Sequence, residues 1–221
     1  MIENTMQRFL NEHEISIAKK IINVALANAA DSFSKLAHSK IKLQHVEIPP
    51  STPDNDLKHL ISDNDQLFVL ITEVKGDIPA ESYLVFTNQA AEEFIKLIIP
   101  DSQNKSIEIK EAALLETDNI LAASVVTQFS NFFKVKIYGD VPSLVKWTKD
   151  KTEEVLTKKM EEFSLRVSFK TSFITSGIEI HPEFIWIFTH SFIDYVKWLA
   201  NDKEACQSLL QFDSYLEEYI L

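Results

Sequence analysis

The hydrophobic positions of this sequence fall into two successive passes of similar design. In residues 9–37, Leu10, Ile17, Ile21, Val24, Ala25, Ala29, Phe33 and Leu36 recur near helical spacing with charged residues between them. That periodicity predicts one long amphipathic helix. Apolar and polar residues alternate from Lys40 to Ile48, the period of a strand. Pro49, Pro50 and Pro53 then break regular structure, and the polar run up to Gln66 reads as a mobile loop. Leu67–Lys75 and Glu81–Thr87 read as a hairpin turning at Gly76-Asp77. Asn88 is placed to cap a helix that Pro100 closes after Ile99.

The second pass predicts a long helix over 108–131, a strand over Lys134–Tyr138 and, after Pro142, a charged amphipathic helix over 145–161. Strands follow over 163–174 and 178–189, either side of Gly177, then helices over 190–201 and 204–219. Shifting the chain by 96 positions lays Asn23 on Asn119, Ala27 on Ala123, Phe33 on Phe129, Ser34 on Ser130 and Lys40-Ile41 on Lys136-Ile137 without a gap. With a six-residue insertion, Phe86-Thr87 then falls on Phe188-Thr189. The same elements in the same order point to an internal duplication. The expected fold is α+β. Two pseudo-symmetric α-β-β-β-α halves, about 9–100 and 105–221, form one mainly antiparallel sheet flanked by long helices in a single domain.

Composition narrows the function. Only 3 Gly are present, which removes any Gly-rich phosphate loop. No run of 18 apolar residues exists to span a membrane, and the first fifteen residues are too charged for a secretory signal. Cys206, the one cysteine, excludes an internal disulfide and a cysteine zinc cluster, and fits a reducing cytoplasm. A net charge of −11 argues against nucleic acid and anionic membranes as partners. His13-Glu14 lacks the second histidine of a zinc protease, since position 17 is Ile, and His181-Pro182-Glu183 lacks the cysteine pair of a deaminase. Ser124 and Ser130 have no histidine at motif distance. His190, at a helix start it could cap, is read as a structural polar contact, the Lys/Glu run at 149–162 as a solvated helix face, and the tryptophans as core.

One pair of polar residues resists that bland reading. On a helical wheel Leu114, Leu121, Val125 and Phe129 share one side, while Glu116 and Asn119 project from the other. Their neighbours on that face, Ala112, Ala123, Thr127 and Ser130, are all small, so a carboxylate and a carboxamide stand over a low surface. Asn is a poor helix-interior residue, yet it recurs at the equivalent Asn23. The same wheel puts Asp118 inside the apolar arc, where a carboxyl group needs a partner.

These residues resemble the CheC, CheX and FliY proteins. That family carries Asp or Ser, three residues, Glu, two residues, Asn, twenty-two residues, Pro. Glu116, Asn119 and Pro142 match at that spacing. ETDNILAAS resembles the family's EIGNILTGA, and KIINVALANAADSFSKL resembles EIANIGAGHAATALSQL. Departures are Ala112 for the leading Asp or Ser, Asp118 for a glycine, and Lys20 for the glutamate of the first copy, whose nearest proline is displaced to Pro49. The resemblance implies one site, at Glu116 and Asn119, and a dead copy at Lys20 and Asn23.

It further implies hydrolysis of the phosphoryl-aspartate of a CheY-like response regulator. The regulator supplies the phosphorylated Asp, Mg²⁺ and a Lys. Asn119 orients the attacking water and Glu116 pairs with that Lys. No cofactor of the protein's own is implied, a cytoplasmic setting is, and with both halves in one chain a monomer is expected rather than a dimer. The alternative, favoured by Ala112, Asp118 and Lys20, is a non-catalytic module that binds a response regulator or another chemotaxis protein.

Overall fold

The computed structural model describes residues 9–36, 66–99, 101–162, 165–170, 173–175 and 178–219. The expected strand over 40–48 and the loop that follows it lie outside the described residues. The long first helix is α1, Glu12–Leu36. Strands β1 (Gln66–Gly76) and β2 (Ala80–Thr87) form the expected hairpin, with Leu67 opposite Thr87 and Val74 opposite Ala80. Gly76 has a φ of +109°, and a Cβ there would lie 2.1 Å from the Lys136 carbonyl oxygen, so glycine is required.

Helix α2 spans Asn88–Ile98, but its cap is Thr87 rather than Asn88. The Thr87 Oγ1 accepts from the Ala90 N–H at 3.1 Å, the geometry of an N-cap. Likewise Thr189, not His190, occupies the N-cap of α5, His190–Asn201. Thr87 and Thr189 are the equivalent pair of the repeat, so both halves start this helix from the same residue type.

Helix α3 runs over Ile107–Phe133 and ends at Lys134, which adopts the left-handed conformation at φ 55°. The Lys134 and Val135 N–H groups both donate to the Ser130 carbonyl, satisfying the helix end. The strand expected over 134–138 starts late for this reason, as β3, Ile137–Gly139.

The helix expected from 145 begins only at Lys149, as α4 (Lys149–Glu162), because Ser143–Thr148 form a strand, β4. Leu144 faces one side of the sheet with the main core, while Val145 and Trp147 join the smaller cluster on the other. That alternation is the strand period.

The strands expected over 163–174 and 178–189 are observed as two antiparallel pairs. β5 (Leu165–Lys170) pairs with β8 (Glu183–Phe188), and β6 (Phe173–Thr175) pairs with β7 (Ile178–Ile180). The two pairs keep one common register. The final expected helix is two, α6 (Lys203–Leu210) and α7 (Asp213–Tyr219).

The sheet order is β3-β1-β2-β8-β5, with β4 also paired to β1. Tyr83 in β2 lies opposite Ile185 in β8, 102 positions on, the offset that separates Phe86 from Phe188. Helices α1 and α3 meet where the Asn28 side-chain amide donates to the Ser124 carbonyl at 3.4 Å, 96 positions on. Equivalent residues therefore face each other at both crossings, as a pseudo-two-fold axis requires. The main core lies between the sheet and α1, α2, α3 and α5. Phe33 stacks on Phe94 of α2, and its equivalent Phe129 packs on Phe192 of α5. On the opposite sheet face Leu67, Val69, Tyr83, Val85, Ile185 and Ile187 pack with Leu156 of α4.

Candidate functional site

Helix α3 is anchored along one side by Leu114, Leu121, Val125 and Phe129, each at most 2% exposed. Burying that stripe fixes the rotation of the helix and so presents the opposite stripe outward. Ala112, Glu116, Asn119, Ala123 and Thr127 are all exposed. Glu116 and Asn119 stand on adjacent turns, three residues apart. Neither has a hydrogen-bond or ion-pair partner among the described residues. A carboxylate and a carboxamide with free bonding capacity thus share an open face whose other members carry only methyl-sized or hydroxyl groups.

Asp118, between them in sequence, turns inward and is fully buried. Thr72 Oγ1 of β1 donates to its Oδ2 at 2.6 Å, whereas Oδ1 has no partner among the described residues. Burial pushes its carboxyl up to about 7 against the opposing effect of the Thr72 bond. The contact pins the middle of α3 to the sheet directly behind Asn119. The wheel foretold the inward carboxyl but not its partner. The signal for Thr72 was present, since β1 alternation sets it on the core side with Leu70 and Val74.

Pro142 is buried, and it lies in a bulge of the edge strand. Gly139 of β3 pairs with Val74 and Ser143 of β4 with Ile71, so three edge residues oppose two on β1. The Asp140 N–H donates to the Glu73 carbonyl at 2.7 Å, and the Asp140 carboxylate pairs with Lys75. Proline, which has no N–H, suits a bulge position. Lys146, just beyond, pairs with Glu111 of α3 at 2.8 Å and lies over the Phe68 ring. The family-spaced proline thus marks where the edge strand bends beside α3.

The first copy lies elsewhere and looks different. Lys20 of α1 pairs with Asp213 of α7 at 2.5 Å. Asn23 is half-buried, and its Oδ1 has no partner among the described residues. Among the described residues no three His, Cys, Asp or Glu side chains are grouped to hold a metal ion, and no helix is long and apolar enough to cross a membrane. His13, one of the histidines set aside, sits with its Nε2 3.3 Å from the Ala200 carbonyl.

No protein-family model matches the chain. In sequence it is 23% identical over 141 residues to the CheY-P phosphatase CheC of Bacillus subtilis (strain 168), covering 61% of this chain and 67% of that one. In fold it is similar to FliY of Thermotoga maritima, with a TM-score of 0.59 and 17% identity over 91% of this chain and 98% of that one. It is also similar to a chain of the CheX–CheY–BeF3–Mg²⁺ complex of Borrelia burgdorferi, with a TM-score of 0.50 and 13% identity over 76% of this chain and 97% of that one. The FliM middle domain of H. pylori shares the fold too, with a TM-score of 0.54 and 10% identity over 85% of this chain and 99% of that one. In sequence the chain is thus similar to CheC, and it shares the fold of FliY, of CheX and of the FliM middle domain.

Proposed function

We propose that the protein hydrolyses the phosphoryl-aspartate of a CheY-type response regulator, acting from the Glu116–Asn119 face of α3. The observation that carries this reading is that both side chains are exposed and unpartnered among the described residues on a stripe of small neighbours. A receiver domain can therefore bring its acyl phosphate close to the helix. The curated relative is named for activity on phosphorylated CheY, and the CheX structure contains CheY. Both support a CheY-like partner here, and on this reading the two meet in the cytoplasm.

In the reaction, a water oxygen attacks phosphorus in line, and the bond from phosphorus to the aspartyl oxygen breaks. The products are inorganic phosphate and a free carboxylate, with one water proton leaving to solvent or phosphate. The Asn119 amide both donates and accepts hydrogen bonds, so it can hold that water without binding a metal strongly. Glu116 sets the register by pairing with a lysine of the regulator. In this reading the Mg²⁺ that stabilises charge on the transferring group is the regulator's own, and the protein brings no cofactor.

The test is phosphate release from a phosphorylated CheY-like receiver with and without the protein. Acceleration supports the phosphatase. Binding without acceleration selects the non-catalytic module, the reading that Ala112 favours because the leading polar residue of the motif is gone. Neither effect across several receivers would reject both.

A further inference from the structure

Most of the stripe of α1 equivalent to the candidate site is covered by the chain itself, and Ser16, the counterpart of Ala112, stays exposed. Along α3 the positions Glu116, Asn119, Ala123 and Thr127 are exposed. Their counterparts 96 positions earlier are Lys20, Asn23, Ala27 and Asp31. Lys20, Asn23 and Asp31 are half-buried, and Ala27 is 0% exposed. Two members of this stripe bond to α7. Lys20 Nζ reaches Asp213 at 2.5 Å, and Tyr219 Oη donates to Asp31 at 2.9 Å.

Apolar contacts hold the same segment down. Leu209 of α6 is 1% exposed in the main core, and Phe212, in the turn between α6 and α7, meets Phe132 of α3 edge-on at 5.5 Å. The ion pair alone would contribute little at such exposure. The apolar seat carries most of the docking, and the polar contacts fix which stripe of α1 is covered.

We infer that α6–α7 is an intramolecular occupant of the first-copy face, so that the chain presents a single regulator-docking face, on α3. Lys20 is the residue that converts the old face to this use. A glutamate there would meet Asp213 with like charge, whereas lysine pairs with it. The number of faces rests on the proposed function; the occlusion of α1 does not.

Thiol labelling separates the two. In a Cys206→Ser background, Asn23→Cys is expected to react with a maleimide at least about tenfold more slowly than Asn119→Cys, as a covered thiol does. Leu209→Asp, or the milder Asp213→Lys, should raise the rate at position 23 and narrow the ratio. Equal rates at 23 and 119, or a ratio that neither release variant changes, would overturn the inference. In parallel, titration of the full chain with a beryllofluoride-activated, Mg²⁺-bound CheY-like receiver should saturate at one receiver per chain. Saturation at two overturns the single face. Absence of binding rejects the proposed function and leaves the labelling ratio to decide the occlusion.

Discussion

Helices α1 and α3 descend from one pattern and have been put to opposite uses. Each is long, each buries a phenylalanine at the same repeat position, and each carries an asparagine on the far side of that phenylalanine. On α3 the asparagine is exposed and paired in sequence with an acid. On α1 it is half-buried and paired with a lysine that binds α7. The duplication fixed the backbone of both faces, and the side chains decided which one stayed open. The shared backbone is therefore no guide to how the two faces differ. The guide is what covers each stripe and what charge stands one turn before the asparagine.

Apart from loss of Asn119 itself, the largest effect is expected from making α3 resemble α1 at that charge. Glu116→Lys sets a cation against the regulator's lysine and should lower the efficiency of dephosphorylation about a hundredfold. Glu116→Ala only removes the attraction and should raise the half-saturating regulator concentration about tenfold. Steady-state titration of the phosphorylated receiver checks both.

The next effect concerns the carboxyl that only α3 carries between its two site residues. The folded value of Asp118, about 7, lies above the ordinary 3.8. The folded state therefore holds the proton more tightly than the unfolded chain. The penalty is absent below the ordinary value, grows as pH rises between the two, and is complete above about 7. From pH 5 to pH 8 unfolding free energy should fall by roughly 2 to 3 kcal/mol from this group. Asp118→Asn keeps the shape without the charge and should flatten that part of the profile. Urea melts at both pH values test this, and an equal slope in wild type and variant would contradict the burial of an ionisable carboxyl.

The smallest effect is expected on α1. Lys20→Ala should change dephosphorylation less than about twofold, because its charge is used inside the chain. Its stability change should stay within about 1 kcal/mol, as for other exposed ion pairs. A large loss of activity would mean that the first face contributes after all.

Much of this contrast could be read before any coordinates. The long helices and the first hairpin carry strong periods, and the small residues around Glu116 and Asn119 exposed that face on the wheel. Where the reading failed, the cause was local ambiguity or a tertiary partner. Residues 143–148 alternate for only six positions and include Lys146, so the helical period of the following charged run absorbed them. Such short, partly polar strands are typical of sheet edges. The break between α6 and α7 has no glycine or proline to mark it. The pairing of Thr72 with Asp118 joins residues 46 positions apart, and that of Lys20 with Asp213 joins residues 193 apart. Sequence marks each of these as polar and leaves the partner to the fold.

The most direct measurement compares the two asparagines in one assay. Phosphate release from a phosphorylated CheY-like receiver is followed with wild type, Asn119→Ala and Asn23→Ala at equal concentration. The account predicts that Asn119→Ala loses the acceleration by about a hundredfold or more, while Asn23→Ala keeps it within about twofold. Asn119→Ala releasing phosphate as fast as wild type would contradict it.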